Sequence, residues 1–479
     1  MSLSKRLFVL VACLLPLAGL PAVDGPAGAS VLPTPIREAL RNHGLSGDGL
    51  SVFVQAVDET EPTLEINAGT PRRPASVIKL LTTYAALDLL GPAYRWETEA
   101  WTTGALEDGT LNGDLYLRGT GDPFLTVERF WTFLRELRRK GLRDIRGDLV
   151  IDNTYFQIPP EDPGDFDGQR YRSYNVPPDA LLVNFGTARF DIQRTGDGGV
   201  KVYADPPMAR FVIENDIRSK KGACAGFQRG VAFDVPEGFA GRRVVLSGRF
   251  PTGCAEYALY RAVLPAPEFA HAVFAALWDE LGGSLEGGLR LAPVPETAEP
   301  LHRYYSVPLG DVVRQINKWS NNAMTRQLLL TIGAEGFEAP GTPEKGRKAV
   351  DQWLAARGLS FPELYLDNGA GLSRKTRIAA RSLGRMLLDA WDHEYMPELV
   401  SSMPISAVDG TMRRRSGGDM SGRMHLKTGR LDDVAAVAGL VLSRSGKRYV
   451  VVIIQNDRDA HRGIGQDIQD VILRWVFDR

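Results

Sequence analysis

The 479-residue chain predicts an α+β fold, an antiparallel sheet covered by helices and interrupted by a large β-rich insertion. Three observations predict it. The leading piece reads strand, strand, helix. The trailing piece reads helices, three strands and a terminal helix. Residues 96–299 between them are rich in Gly, Pro and short alternating strands.

Residues 50–57 (Leu-Ser-Val-Phe-Val-Gln-Ala-Val) alternate and are β-rich, so they predict a strand, and Leu64 to Asn67 predicts a partner pairing back. Arg72-Arg73-Pro74-Ala75 leads into Ser76, and Val77 to Leu90 is an apolar helical pattern ended by Gly91-Pro92. Ser76 is therefore expected at a helix N-terminus. In the middle region, short strands are expected at Gly113 to Leu117, Gly147 to Ile151 and Arg243 to Leu246, with one amphipathic helix from Val127 to Lys140. Pro159-Pro160 and Pro163-Gly164 mark loops. Leu309 to Thr331 reads as a single helix carrying Ser320, with further helices over 344–357 and 378–393. His425 to Gly429 opens the last β-rich stretch. Val434 to Leu442 and Tyr449 to Gln455 are near-continuous apolar strands, and Ile464 to Phe477 is the closing amphipathic helix.

A hydrophobic fraction of 44% and a charged fraction of 24% are ordinary for a globular protein. A net charge of −1 leaves no electrostatic footprint for nucleic acid. The six His are scattered without metal-ligand spacing, so neither a metal nor a cofactor is expected. Lys5 and Arg6, the apolar run Leu7 to Leu20 and the small-residue site Ala27-Gly28-Ala29 read as a cleaved export signal over residues 1–29. The apolar run before Cys13 is too short for a lipoprotein signal. No later segment reaches about 18 apolar residues, so no transmembrane anchor is expected. Removing the signal leaves Cys224 and Cys254, and two cysteines in an exported protein suggest one disulfide.

Three short motifs carry the chemistry: Ser76-Val77-Ile78-Lys79, Ser320-Asn321-Asn322 and Lys427-Thr428-Gly429. In the first, spacing i, i+3 on a helix puts a serine and a lysine within reach of each other. A serine hydroxyl attacks only when a base takes its proton, and a lysine is a base only when burial or a nearby cation lowers its pKa. In the second, three consecutive small polar residues inside an apolar helix cost propensity, which often marks a site. In the third, a cation, a hydroxyl and a glycine at a strand offer a carboxylate-binding edge that a peptide can approach closely. Each string is weak alone. Ser2-Leu3-Ser4-Lys5 repeats the first inside the leader, and Ser173-Tyr174-Asn175 repeats the second in a proline-flanked loop. The bland alternatives are an N-cap serine with a surface lysine, a solvated helix face and an ordinary strand entry. Order and setting together favour one acyl-transfer site. Because the first motif lies in the leading piece and the others in the trailing piece, residues 30–95 and 300–479 are expected to form one catalytic domain. Residues 96–299 are then an insertion of one or two smaller domains.

With these motifs the chain resembles the D-Ala-D-Ala carboxypeptidases/endopeptidases of the low-molecular-mass class C penicillin-binding proteins, the penicillin-binding protein 4 type. The resemblance spans essentially the whole mature chain. It extends to Gly121-Asp122-Pro123, Asn317-Lys318, Asp367-Asn368-Gly369-Ala370-Gly371-Leu372-Ser373-Arg374 and Asp409-Gly410-Thr411. It implies a β-lactamase/transpeptidase-like catalytic domain and a periplasmic location. It also implies peptidoglycan stem peptides as substrate and β-lactams as inhibitors that acylate Ser76 and are hydrolysed slowly. By the same resemblance Ser76 is the nucleophile, Lys79 the general base, Ser320 the proton relay to the departing amine, and Asn322 a substrate-backbone ligand. Lys427 gives electrostatic support, Thr428 holds the terminal carboxylate, and Gly429 admits the peptide. The N–H groups of Ser76 and Arg430 form the oxyanion hole.

Asn321 stands where Asp is frequent, at a position expected to point away from the reaction. Arg430 stands where a small hydroxyl residue is usual. A guanidinium there adds a carboxylate contact or crowds the substrate, so Arg430→Thr is expected to change the ratio of carboxypeptidase to endopeptidase activity. The competing readings are a β-lactamase or esterase of the same fold and a non-catalytic peptidoglycan-binding module. The long insertion and Asp409-Gly410-Thr411 argue against the first, and three intact motifs against the second.

Overall fold

A computed structural model of the chain describes residues 32–225, 230–236, 238 and 241–479. The export signal and Cys13 lie outside the described residues. The α+β architecture expected from the sequence is the one found.

The leading and trailing pieces share one five-stranded antiparallel sheet. Its order is Met424–Leu431, Val434–Leu442, Arg448–Gln455, Leu50–Ala56, Leu64–Ile66. The inner strands are buried on both faces, which is why they read as almost unbroken apolar runs. Period-2 alternation sorts their side chains. Phe53, Ala438, Val450 and Val452 face a helical layer that includes Lys79–Leu90 and Ala380–Trp391. Val52, Val54, Val437 and Val451 face the other way, onto Thr34–Asn42 and the C-terminal helix Ile464–Phe477. The helix Lys79–Leu90 is buried on every side through Leu87, so its sequence shows no polar stripe.

The inserted region leaves and returns side by side, because Glu97–Thr102 pairs antiparallel with Glu299–Tyr305, Glu97 opposite Tyr305. A five-stranded sheet, a four-stranded sheet and two three-stranded sheets lie between these crossings, with helices Val127–Arg139 and Ala266–Glu280. They bury a separate apolar cluster around Phe130, Phe190, Val244 and Trp278. Cys224 and Cys254 are joined by a disulfide at the edge of this cluster.

One expectation is corrected. Leu309 to Thr331 is two helices, Leu309–Trp319 and Asn322–Phe337. Ser320 ends the first in the left-handed region (φ 59°, ψ 37°), and Asn321 caps the second by accepting a hydrogen bond from the Met324 N–H at 3.0 Å. Small polar side chains that compete for backbone groups are what such a break needs, whereas apolar periodicity simply continues across it. A left-handed serine costs about 1 kcal/mol, and strain of this kind is characteristic of working sites.

Candidate active site

Ser76 lies in a 3₁₀ turn, Ala75–Ile78, that runs directly into the helix beginning at Lys79. Two glycines let other chain segments close on this turn. A Cβ at Gly429 would stand 2.8 Å from the Pro74 carbonyl oxygen and 3.0 Å from the Ser76 nitrogen. A Cβ at Gly371, whose φ is +79°, would stand 2.0 Å from the Ala75 carbonyl oxygen. The K-T-G strand and the 367–374 loop therefore press on the Ser76 turn from their own backbones, as only glycine permits.

Lys79 is fully buried. Its Nζ lies 2.9 Å from Ser76 Oγ and 2.7 Å from Asn322 Oδ1, and it also meets the Ala370 carbonyl. Burial first, and the nearby Lys427 second, hold this amine well below the ordinary lysine range. A neutral amine has two N–H donors and one lone pair. In that neutral form the amide oxygen of Asn322 and the carbonyl of Ala370 would take the two donors and leave the lone pair for the Ser76 hydroxyl proton. That is the arrangement a general base requires.

Lys427 is the second buried amine. It donates to Ser320 Oγ and to the Thr428 carbonyl, both at 2.8 Å, and burial pushes it down to about 7. The left-handed turn at Ser320 thus delivers its hydroxyl to the edge strand. Asn322 completes the wall, its Nδ2 donating to the Tyr174 carbonyl at 3.1 Å. Thr428 Oγ1 donates to Thr411 Oγ1 at 2.8 Å, and Arg430 is exposed at the end of the same edge. All three motifs therefore meet, on helix, helix junction and strand. No carboxylate is among the partners of Lys79, Ser320 or Lys427 within the described residues.

Around these groups lies a supporting layer. Asn317, fully buried, donates to Thr83 Oγ1 at 3.1 Å and Ser402 Oγ at 2.9 Å. Lys318 donates to the Met403 carbonyl and pairs with Asp409, both at 2.6 Å. This anchors the loop that presents Thr411 to Thr428. Sequence reasoning quoted Asn317-Lys318, Asp409-Gly410-Thr411 and the 367–374 phrase without assigning them roles. It set Ser173-Tyr174-Asn175 aside as a loop, yet the Tyr174 carbonyl is the partner of Asn322. Main-chain contributions of this kind, from Ala370 and Tyr174, leave no residue-type signal.

The family model described as D-Ala-D-Ala carboxypeptidase 3 (S13) matches residues 32–476. A D-alanyl-D-alanine carboxypeptidase of Actinomadura sp. is 29% identical over 453 residues, covering 89% of this chain and 82% of that one. The D-alanyl-D-alanine carboxypeptidase DacB of Haemophilus influenzae is 25% identical over 411 residues, 85% of each chain. The crystal structure of penicillin binding protein 4 (dacB) from Haemophilus influenzae has this fold, with a TM-score of 0.77 at 22% identity over 93% of this chain and 99% of that one.

Proposed function

Because the chain belongs to the D-Ala-D-Ala carboxypeptidase 3 (S13) family, we propose that it is a serine DD-peptidase acting on peptidoglycan stem peptides, with Ser76 as nucleophile. The observation that carries the assignment is Lys79. It is a fully buried amine, held well below the ordinary lysine range, whose Nζ lies 2.9 Å from Ser76 Oγ and 2.7 Å from Asn322 Oδ1.

In acylation Lys79 takes the Ser76 proton, and Oγ forms a bond to the carbonyl carbon of the penultimate D-Ala. The N–H groups of Ser76 and Arg430 receive the oxyanion. The C–N bond then breaks, and the departing amine takes a proton from Ser320, which is resupplied from Lys79. Lys427 holds the Ser320 hydroxyl at 2.8 Å and supplies positive charge. Thr428 takes the terminal carboxylate, Asn322 the acyl-side backbone, and Gly429 leaves room for the peptide. Water releases the acyl group. With no carboxylate hydrogen-bonded to Lys79, Ser320 or Lys427 among the described residues, deacylation relies on the same amines. A penicilloyl group, which keeps its leaving group tethered, should therefore persist. The reading of residues 1–29 as an export signal supports a periplasmic location for this activity. Among the described residues no helix is long and apolar enough to cross a membrane.

Intact-mass spectrometry after incubation with penicillin tests the assignment. Wild type should gain one stable adduct and Ser76→Ala none. Rapid consumption of penicillin without an adduct would overturn the peptidase assignment in favour of a β-lactamase. Untouched penicillin with no adduct would overturn acyl transfer altogether.

A further inference from the structure

The inserted region carries a three-stranded antiparallel sheet in the order Val200–Asp205, Ala188–Arg194, Glu256–Arg261. Alternation sends Phe190, Ile192 and Leu259 into the core of that region. The other side chains turn outward, and the register sets them in three rows across the strands. Lys201, Gln193 and Glu256 form one row, Tyr203, Asp191 and Ala258 the next, and Asp205, Arg189 and Tyr260 the third. All are exposed or partly exposed.

An uncovered sheet face is ordinarily polar, but this one holds two large aromatic rings. Tyr203 is 50% exposed and Tyr260 52%. They stand on the two outer strands in neighbouring rows, on either side of the ion pair between Arg189 and Asp191 (2.7 Å). Strand spacing and rise per residue put their Cα atoms about 12 Å apart. Ala258 leaves the face low between Glu256 and Tyr260.

The composition of the face selects its occupant. Lys201, Arg189, Asp191, Asp205 and Glu256 are charged, whereas the centres of protein interfaces are depleted in Lys, Asp and Glu. Three carboxylates against two cations oppose an anionic lipid or a nucleic acid. Rigid aromatic faces beside ion-paired polar groups suit an uncharged polymer that has C–H faces and many hydroxyl and amide groups. A polysaccharide of N-acetylated sugars has that chemistry.

The face also leads to the candidate active site. Arg261, next to Tyr260, forms a β-bridge with Arg172, and the Ala262 N–H donates to the Tyr171 carbonyl at 3.0 Å. Two residues beyond Arg172, the Tyr174 carbonyl accepts from Asn322 Nδ2. The path from Tyr260 to that carbonyl is one residue of strand, one strand spacing and two residues of loop, about 16 Å in all and less through space. An extended peptide of about four residues reaches about 14 Å.

We propose that this sheet face binds the glycan strand of peptidoglycan, with Tyr203 and Tyr260 as stacking platforms and Arg189 and Asp191 as hydrogen-bonding groups between them. The proposal rests on the peptidase reading above for the identity of the polymer. A strand held here keeps the stem peptides it carries within reach of Ser76.

The probe is hexa-N-acetylchitohexaose, an uncharged oligomer of N-acetylglucosamine without stem peptide, so its binding does not depend on the reaction. It is titrated calorimetrically into the full chain as wild type, Tyr203→Ala, Tyr260→Ala and the double variant. Wild type should bind, each single substitution should weaken binding about fivefold, and the double variant at least roughly twentyfold. D-Ala release from a soluble peptide should stay within about twofold of wild type, while release from intact sacculi at low concentration falls about fivefold in the double variant. A wild type that does not bind the oligomer, or a folded double variant that binds it as tightly as wild type, would overturn the proposal. Binding of phosphatidylglycerol vesicles in place of the oligomer, lost in the double variant, would overturn it in favour of a lipid surface. Ala258→Glu, which fills the low position with a further carboxylate, should also weaken binding and decides the matter if the tyrosine variants do not fold. Absence of a penicillin adduct on wild type would instead remove the peptidase reading, with oligomer binding still read independently.

Discussion

Replacing Lys427 by Met should make the protein more stable and much less active. Lys427 is fully buried, and burial lowers its amine from an ordinary 10.5 to about 7. A lysine whose folded pKa lies below its unfolded one binds fewer protons when folded between the two values. The wild type therefore gains stability as pH rises from about 7 toward 10.5. At about 1.4 kcal/mol per pH unit, the amine costs about 5 kcal/mol near pH 6 and about 2 kcal/mol near pH 9. Methionine removes that cost at nearly equal volume, but it forfeits the hydrogen bonds to Ser320 Oγ and the Thr428 carbonyl, about 1 kcal/mol each. The variant should gain about 3 kcal/mol near pH 6 and almost nothing near pH 9. Acylation should fall roughly 10²–10⁴-fold, because Ser320 loses the cation that orients it. Lys427 also helps to lower Lys79, so the acid limb of the remaining rate should move to higher pH. Chemical unfolding at the two pH values and stopped-flow penicillin acylation measure both effects. A variant less stable than wild type near pH 6, or one that acylates within about threefold of wild type, would refute the reasoning.

Three further outcomes are expected. Ser320→Gly relieves a left-handed serine worth about 1 kcal/mol, so melting should hold or rise while D-Ala release falls at least roughly 10²-fold. Unaltered release would count against the relay. Asp409→Ala leaves Lys318, only 5% exposed, without its partner. Unfolding free energy should drop by about 2–3 kcal/mol, the lower part of the buried-pair range because Asp409 is itself 33% exposed. A loss below about 0.5 kcal/mol would show that the pair anchors nothing. Reducing Cys224–Cys254, which closes a separation of 30 residues, should cost about 4 kcal/mol by chain entropy and lower the melting temperature. The penicillin adduct should still form on the reduced, folded protein, since the bridge belongs to the core of the inserted region, and loss of the adduct would contradict that separation.

The residues that the structure brings together at the candidate site were legible in the chain because each motif is local. Ser76 and Lys79 are one helical turn apart, Ser320 and Asn322 flank one residue, and Lys427 to Gly429 are consecutive. The sheet was legible too, since strands buried on both faces cannot hide their apolar runs. The break at Ser320 was not legible. Apolar spacing runs through Leu309 to Thr331, whereas the first helix ends at a left-handed Ser320 bonded to Lys427 and the next begins at the Asn321 cap. Periodicity reports which residues are buried and carries no trace of a single left-handed residue.

Local sequence therefore determined which groups are present and on which kind of element each sits. The tertiary structure decided the surroundings each group has. It placed Lys79 at full burial between an amide oxygen and a main-chain carbonyl from residues hundreds of positions away, and set Lys427 near enough to lower it further. It brought Tyr174 of the inserted region to Asn322 and set a cavity behind Thr428 against the C-terminal helix. The physical reason is that a pKa and a cavity are properties of surroundings. Burial, neighbouring charge and empty space arise from long-range packing, and no window of sequence contains them.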